Sequence, residues 1–212
     1  GLCSYVGLGV MVTFKRCAAA ILLVLVSACS GIGNLGSINP KPQTPHNLCG
    51  IYAQYGPWQR SANASQQAWN IHSSISMAFI QHESGFNTTA RPPRKRILGV
   101  FPGDHLSSAY GYPQAINGTW SLYKELTGYS SAKRTNFHDA IDFVGWYNAR
   151  SVRLNNIDRN DAYHLYLAYH EGNSGFAKKS YLAKPWLLTV AKKVSAQATR
   201  YRSQLRFCTP MS

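Results

Sequence analysis

Acidic residues are scarce in this chain. Eight Asp and Glu stand against 22 Lys and Arg in 212 residues, a formal net charge of +14. Such a basic excess favours an anionic partner: nucleic acid, anionic lipid or an anionic cell-wall polymer. Cysteine is also sparse, at five, and no CxxC pair is present to suggest a zinc or redox site. The seven histidines show no metal-ligand spacing. His82-Glu83 begins a zinc-protease pattern, but that motif needs a second His four residues after the first, and position 86 is Phe. No GxSxG elbow, P-loop or dinucleotide-binding glycine pattern occurs. Internal repeats and a sustained strand alternation are lacking as well. Neither a metal nor a cofactor is expected.

One uninterrupted apolar run is present, residues 18–26, too short to span a bilayer, which needs about 20 residues. Met11, Lys15 and Arg16 precede it and Ser27-Ala28-Cys29 follow, the pattern of a secretory signal ending at residue 28. Val26-Ser27-Ala28-Cys29 resembles a bacterial lipobox, which implies cleavage before Cys29 and a diacylglycerol on its sulfur. Ser30, in place of Asp, resembles the outer-membrane sorting pattern, so the expected location is the periplasmic face of the outer membrane. An ordinary signal with an incidental Cys29 is the alternative, and residues 1–10 are expected to lie upstream of the true start. After Cys29, the Gly-, Asn-, Ser- and Pro-rich stretch to residue 47 reads as a flexible tether, and residues 48–212 as one domain. Export argues against nucleic acid and leaves the envelope as partner. In an oxidising periplasm Cys49 and Cys208 are natural disulfide partners, worth roughly 4–5 kcal/mol by chain-entropy reasoning; two free buried thiols are the alternative.

Within the domain the periodicity is helical. Ile71, Ile75 and Phe79 recur every four residues, flanked by Ala68, Ala78 and Ile80, which predicts an amphipathic helix over residues 66–83. Glu83 falls next in that series, and Ser84-Gly85 ends the helix with a left-handed glycine cap. A carboxylate there is half-desolvated and at the negative end of the helix dipole, so its pKa rises and it holds a proton, as a general acid must. The spacing by itself also fits a solvated Glu at a helix end. Asn136 can cap a second helix, with Phe137, Ile141, Val144 and Tyr147 on one face. Asp158 or Asn160 can open a third, through Leu165 and Ala168 to Tyr169. Pro185 suits the first turn of a fourth, with a stripe of Leu187, Val190, Val194, Ala198, Tyr201 and Leu205 opposite Lys192, Lys193, Arg200 and Arg206. Arg91-Pro92-Pro93-Arg94-Lys95-Arg96 reads as a rigid basic surface loop.

Two further stretches bear on Glu83: Ala109-Tyr110-Gly111-Tyr112-Pro113-Gln114 in a loop, and Ala168-Tyr169-His170-Glu171-Gly172 at a helix end. With Glu83-Ser84-Gly85-Phe86, their order and separation resemble the soluble lytic transglycosylases, relatives of goose-type lysozyme, over about residues 67–176. That family has a Glu-Ser pair at a helix end, then a Gly-Leu-Met-Gln loop, then an Ala-Tyr-Asn-Ala-Gly segment. The resemblance implies a mainly α, lysozyme-like fold and Glu83 as the catalytic acid/base. It implies Ser84 as a contact of the sugar's N-acetyl group, Gln114 as lining the cleft, and Tyr169 as orienting Glu83. Tyr112-Pro113 replaces Leu-Met, so a neighbouring aromatic among Tyr110, Tyr112, Trp120 and Tyr123 is expected to stack on a sugar. His170-Glu171 replaces Asn-Ala and puts a second carboxylate near the site, as a modulator of Glu83, a base, or the structural partner of an Arg.

What the resemblance implies chemically suits an acid-poor chain. Ordinary glycosidases use two carboxylates. A lytic transglycosylase manages with one, because its nucleophile is the C6 hydroxyl of the reacting N-acetylmuramic acid, already tethered to the ring. The implied partner is the peptidoglycan glycan strand, with the membrane reached through the lipid anchor and the enzyme acting as a monomer. Two alternatives remain: a muramidase in which Glu171 activates water, and a wall-binding lipoprotein without activity.

Overall fold

A computed structural model of the chain describes residues 41–97 and 101–208. The expected signal segment, Cys29 and the tether up to residue 40 lie outside the described residues. Seven α-helices, a short 3-10 helix and one two-stranded sheet make up the rest: α1 (Leu48–Gln54), α2 (Gly56–Trp69), α3 (Ser73–Ser84), β1 (Arg94–Ile97), β2 (Phe101–His105), α4 (Asn117–Thr127), α5 (Phe137–Asn155), α6 (Ala162–Ala177), the 3-10 turn Ser180–Ala183, and α7 (Pro185–Gln204).

The helix expected over residues 66–83 is two helices. Asn70 takes the left-handed conformation at φ 54° and closes α2, and His72 caps α3 by accepting from the Ser74 amide. The Gln66 side chain reaches across the break and accepts from the Ser73 amide at 2.7 Å. These bonds satisfy helix-end amides that would otherwise be orphaned. Ile71 stays buried at the corner and Ile75 and Phe79 continue the stripe, whereas Ala68 turns to solvent.

The central element is α5, capped as expected by Asn136, whose side chain accepts from the Asp139 amide. Phe137, Ile141, Val144 and Tyr147 are all buried. Helix α2 crosses closely here: a Cβ on Gly145 would stand 2.4 Å from Ser65 Oγ and 2.8 Å from the Trp69 ring, so only glycine fits. Ser65 donates to the Ile141 carbonyl, and Asp142 accepts from both Trp69 and Tyr123, tying α2, α4 and α5 together. Helix α6 opens at Asp161, which accepts from the His164 amide, so neither Asp158 nor Asn160 is the cap. Helix α7 packs its buried Leu187, Val194, Ala198 and Tyr201 on α3 and α6, and leaves Lys192, Lys193 and Arg200 exposed.

Where a basic loop was expected, Arg94–Ile97 pairs antiparallel with Phe101–His105, in register Arg94 to His105 and Ile97 to Phe101. Neither segment alternates apolar with polar residues, and Pro102 and Gly103 are poor strand formers, so the pattern was hidden. Residues 41–47, compositionally a tether, pack on the domain. Pro42 is buried, the Tyr201 hydroxyl donates to the Pro45 carbonyl, and the Gln204 amide donates to the His46 carbonyl at 3.1 Å. Cys49 and Cys208 form the expected disulfide, with Cα atoms 4.9 Å apart. Among the described residues, no helix is long and apolar enough to cross a membrane.

Candidate active site

Glu83 sits in the last turn of α3, which Ser84 closes and Gly85 caps in the left-handed conformation, as the spacing predicts. It lines a cleft of about 380 Å³ whose walls include Gln114, Phe143, Tyr147, Tyr169 and Glu171. Three separate motifs of the sequence therefore meet in one hollow. Glu83 is half-buried, and burial pushes its carboxyl up to about 7; the Tyr166 hydroxyl, donating to Oε1 at 2.9 Å, pulls the other way. Tyr166 itself is raised, first by burial and then by Glu83, so it remains a donor to either form of the carboxyl.

Tyr166, not Tyr169, therefore holds Glu83. The Tyr169 hydroxyl donates instead to the Pro113 carbonyl at 2.7 Å and fastens the 110–115 loop to α6. Both rings stand edge-on to Phe79, at 5.2 and 5.4 Å between centroids, so the buried stripe of α3 also sets the two tyrosines. Nothing in the motif singles out Tyr166, although its place three residues before Tyr169 puts both on one helix face.

Gln114 lines the cleft as expected, from a left-handed backbone at φ 49°, and its amide nitrogen donates to the Ala90 and Gly111 carbonyls. Ser84 does not line it: its hydroxyl turns back to the Ile80 carbonyl, 3.1 Å away. Tyr112 is also outside the cleft. It is buried edge-on against Trp58 and Phe137, so it is core and no sugar platform. Trp120 and Tyr123 are buried too, and Tyr110 lies under the Arg91 guanidinium, 4.2 Å from its ring centroid. Phe143, Tyr147 and Thr119 line the cleft in their place.

Glu171 lines the cleft, but its carboxylate is committed. Lys184 donates to Oε1 at 2.7 Å, His170 approaches the same oxygen at 3.0 Å, and Ser180 donates to Oε2. Burial alone would push this carboxyl up; these donors and the Lys184 charge outweigh it and hold the group down at about 2. The expected partner was an Arg; the observed one is Lys184. The two carboxylates are thus driven apart, Glu83 toward holding a proton and Glu171 toward a fixed anion. Between Glu171 and the rest of α6, Gly172 breaks the helix at φ 76° and ψ 157°, a conformation open in practice only to glycine.

Among the described residues no group of His, Cys, Asp and Glu is arranged to hold a metal ion. Compared with known proteins, residues 17–208 match the family model described as the transglycosylase SLT domain. No curated protein matches the chain. The mainly helical fold agrees with that match, and the chain belongs to the transglycosylase SLT domain family of peptidoglycan lytic transglycosylases.

Proposed function

We propose that this protein cleaves the β-1,4 bond between N-acetylmuramic acid and N-acetylglucosamine with Glu83 as its single acid/base, leaving a 1,6-anhydro-muramic end. The Glu83 carboxyl carries this reading: half-buried, raised to about 7 and held by one phenol. At neutral pH a large fraction is protonated and can give its proton to the glycosidic oxygen as the C1–O bond breaks. The C6 hydroxyl of the same muramoyl ring then bonds to C1, and the Glu83 carboxylate takes the hydroxyl proton, restoring the acid. The nucleophile is intramolecular, so no second carboxylate has to activate water. Gln114 and Tyr169 act in substrate binding, Gln114 from the cleft wall and Tyr169 by fixing the loop that carries it.

The lock on Glu171 counts against a muramidase. A carboxylate held near 2 with three donors around it is a poor base for water. Cys29 in its lipobox-like setting supports anchorage of the enzyme by lipid to the outer membrane, within reach of the wall. Mass spectrometry of purified peptidoglycan digested by residues 41–212, with Glu83→Gln alongside, tests the reaction. Products one water lighter than hydrolytic ones, absent with the variant, are expected. Free reducing ends, or undiminished turnover by Glu83→Gln, would overturn the assignment.

A further inference from the structure

Beside the cleft, across Gly172, lies a second hollow of about 320 Å³ that shares Thr119, Tyr147, Glu171 and Gly172 with the first and adds Trp146, Leu154 and Arg150. The backbone at the junction is bare, since a Cβ on Gly172 would meet nothing within 4 Å. Arg150 is half-buried there, its guanidinium 6.0 Å from the Trp146 ring centroid. Among the described residues no carboxylate pairs with it: the ion pairs are His164 with Asp161 and Glu171 with His170 and Lys184. Glu171, the one acid lining the hollow, is already saturated by those donors.

A partly covered guanidinium that meets an aromatic ring but no anion keeps its fork of donors available, and it favours a ligand that brings a carboxylate. Arg suits this better than Lys, because its planar fork matches both carboxylate oxygens. Leu154, 52 % exposed, and Leu122 give the hollow an apolar wall as well. The sugar rings of a peptidoglycan strand are uncharged. Its carboxylates belong to the peptide carried on the lactyl group of each muramoyl ring.

We propose that the hollow around Arg150 is a peptide-stem subsite, in which Arg150 binds a carboxylate of the peptide borne by the muramoyl residue lying in the cleft. This rests on the reading of the cleft as a peptidoglycan site. Arg150 becomes a specificity residue, favouring strands whose peptides carry free carboxylates over strands in which those carboxylates are amidated.

The test compares wild type, Arg150→Gln and Arg150→Lys on glycan strands with peptides and on the same strands after their peptide carboxylates have been converted to amides with carbodiimide and ammonia. The ratio of kcat/KM on native to amidated strands is expected to fall by about tenfold or more in Arg150→Gln, the worth of one hydrogen-bonded charge pair. Arg150→Lys should recover part of it. Equal losses on both substrates, or an unchanged ratio, overturn the subsite. A second measurement avoids catalysis: calorimetric titration of a muramoyl tripeptide into Glu83→Gln and into Glu83→Gln/Arg150→Gln. Binding at least about tenfold weaker in the double variant, and weakened by salt in the single one, supports the subsite. Equal affinities sink it whatever the reaction proves to be, and if wild type cleaves neither strand, the reaction assignment falls while this titration still decides the subsite.

Discussion

Replacing Glu83 by Gln removes an ionisable group from a place that disfavours its charge, and the protein's stability should report it. In the folded protein the Glu83 carboxyl is raised from the ordinary 4.5 to about 7 by burial, net of the Tyr166 hydrogen bond. Between those values the native state keeps a proton that the unfolded chain has released. The native state binds more protons, so stability falls as pH rises through this window and levels off above it. A shift of this size corresponds to at most about 3 kcal/mol, and solvent reaching the half-buried side chain brings the expected value to about 1–2 kcal/mol. Glutamine keeps the shape and accepts from Tyr166 but never ionises. Urea denaturation of both proteins at pH 4.5, 6 and 8 should show Glu83→Gln gaining on wild type with each step. The offset at low pH is immaterial; its growth with pH is the signal. A difference independent of pH, or a variant that loses ground at pH 8, would refute the account of Glu83 as a desolvated acid.

Other expectations follow from the same contacts. Tyr166→Phe removes the bond that pulls the Glu83 pKa down, so the alkaline limb of kcat/KM should move to higher pH, and kcat should drop by about tenfold, the scale of one hydrogen bond to a charged group. Glu171→Gln frees Lys184 and Ser180 and should cost about 1–2 kcal/mol in chemical denaturation at pH 7, allowing for the solvent exposure of Lys184. Because that carboxyl is held down at about 2, its contribution is present above the ordinary carboxylate pKa and is lost as pH falls toward 2, so the variant and wild type should converge there. If Glu171→Gln instead abolishes turnover with stability intact, the group is a base after all. Cys49→Ser opens a bridge spanning 159 residues and should lower stability by up to roughly 5 kcal/mol, with reductant bringing wild type to the same thermal midpoint.

What was legible in the sequence is what local rules carry. Periodicity and caps expose α5 behind Asn136, α7 behind Pro185, and Glu83 at the end of an apolar stripe. The break at Asn70 has no glycine or proline to announce it; it depends on a left-handed Asn and on Gln66 reaching across to Ser73, a contact between two helices. Tyr112 has the look of a sugar platform until Trp58 and Phe137 close around it. The lock on Glu171 comes from Ser180 and Lys184, beyond the kink at Gly172, where no helical spacing relates them. Tyr166 escapes notice because the motif that marks α6 centres one turn later.

The docking of residues 41–47 bears on how the domain withstands being pulled. If the chain ahead is fixed to a membrane while the cleft grips a polymer, tension enters at residue 41. There it meets hydrogen bonds from Tyr201 and Gln204 and, at residue 49, a covalent clasp to residue 208. Load is handed sideways to α7, which rests along α3 and α6, so the strain is spread in shear over a whole helix instead of peeling α1 away. A domain anchored in that way would take the load at its stapled corner, where residue 49 is bonded to residue 208.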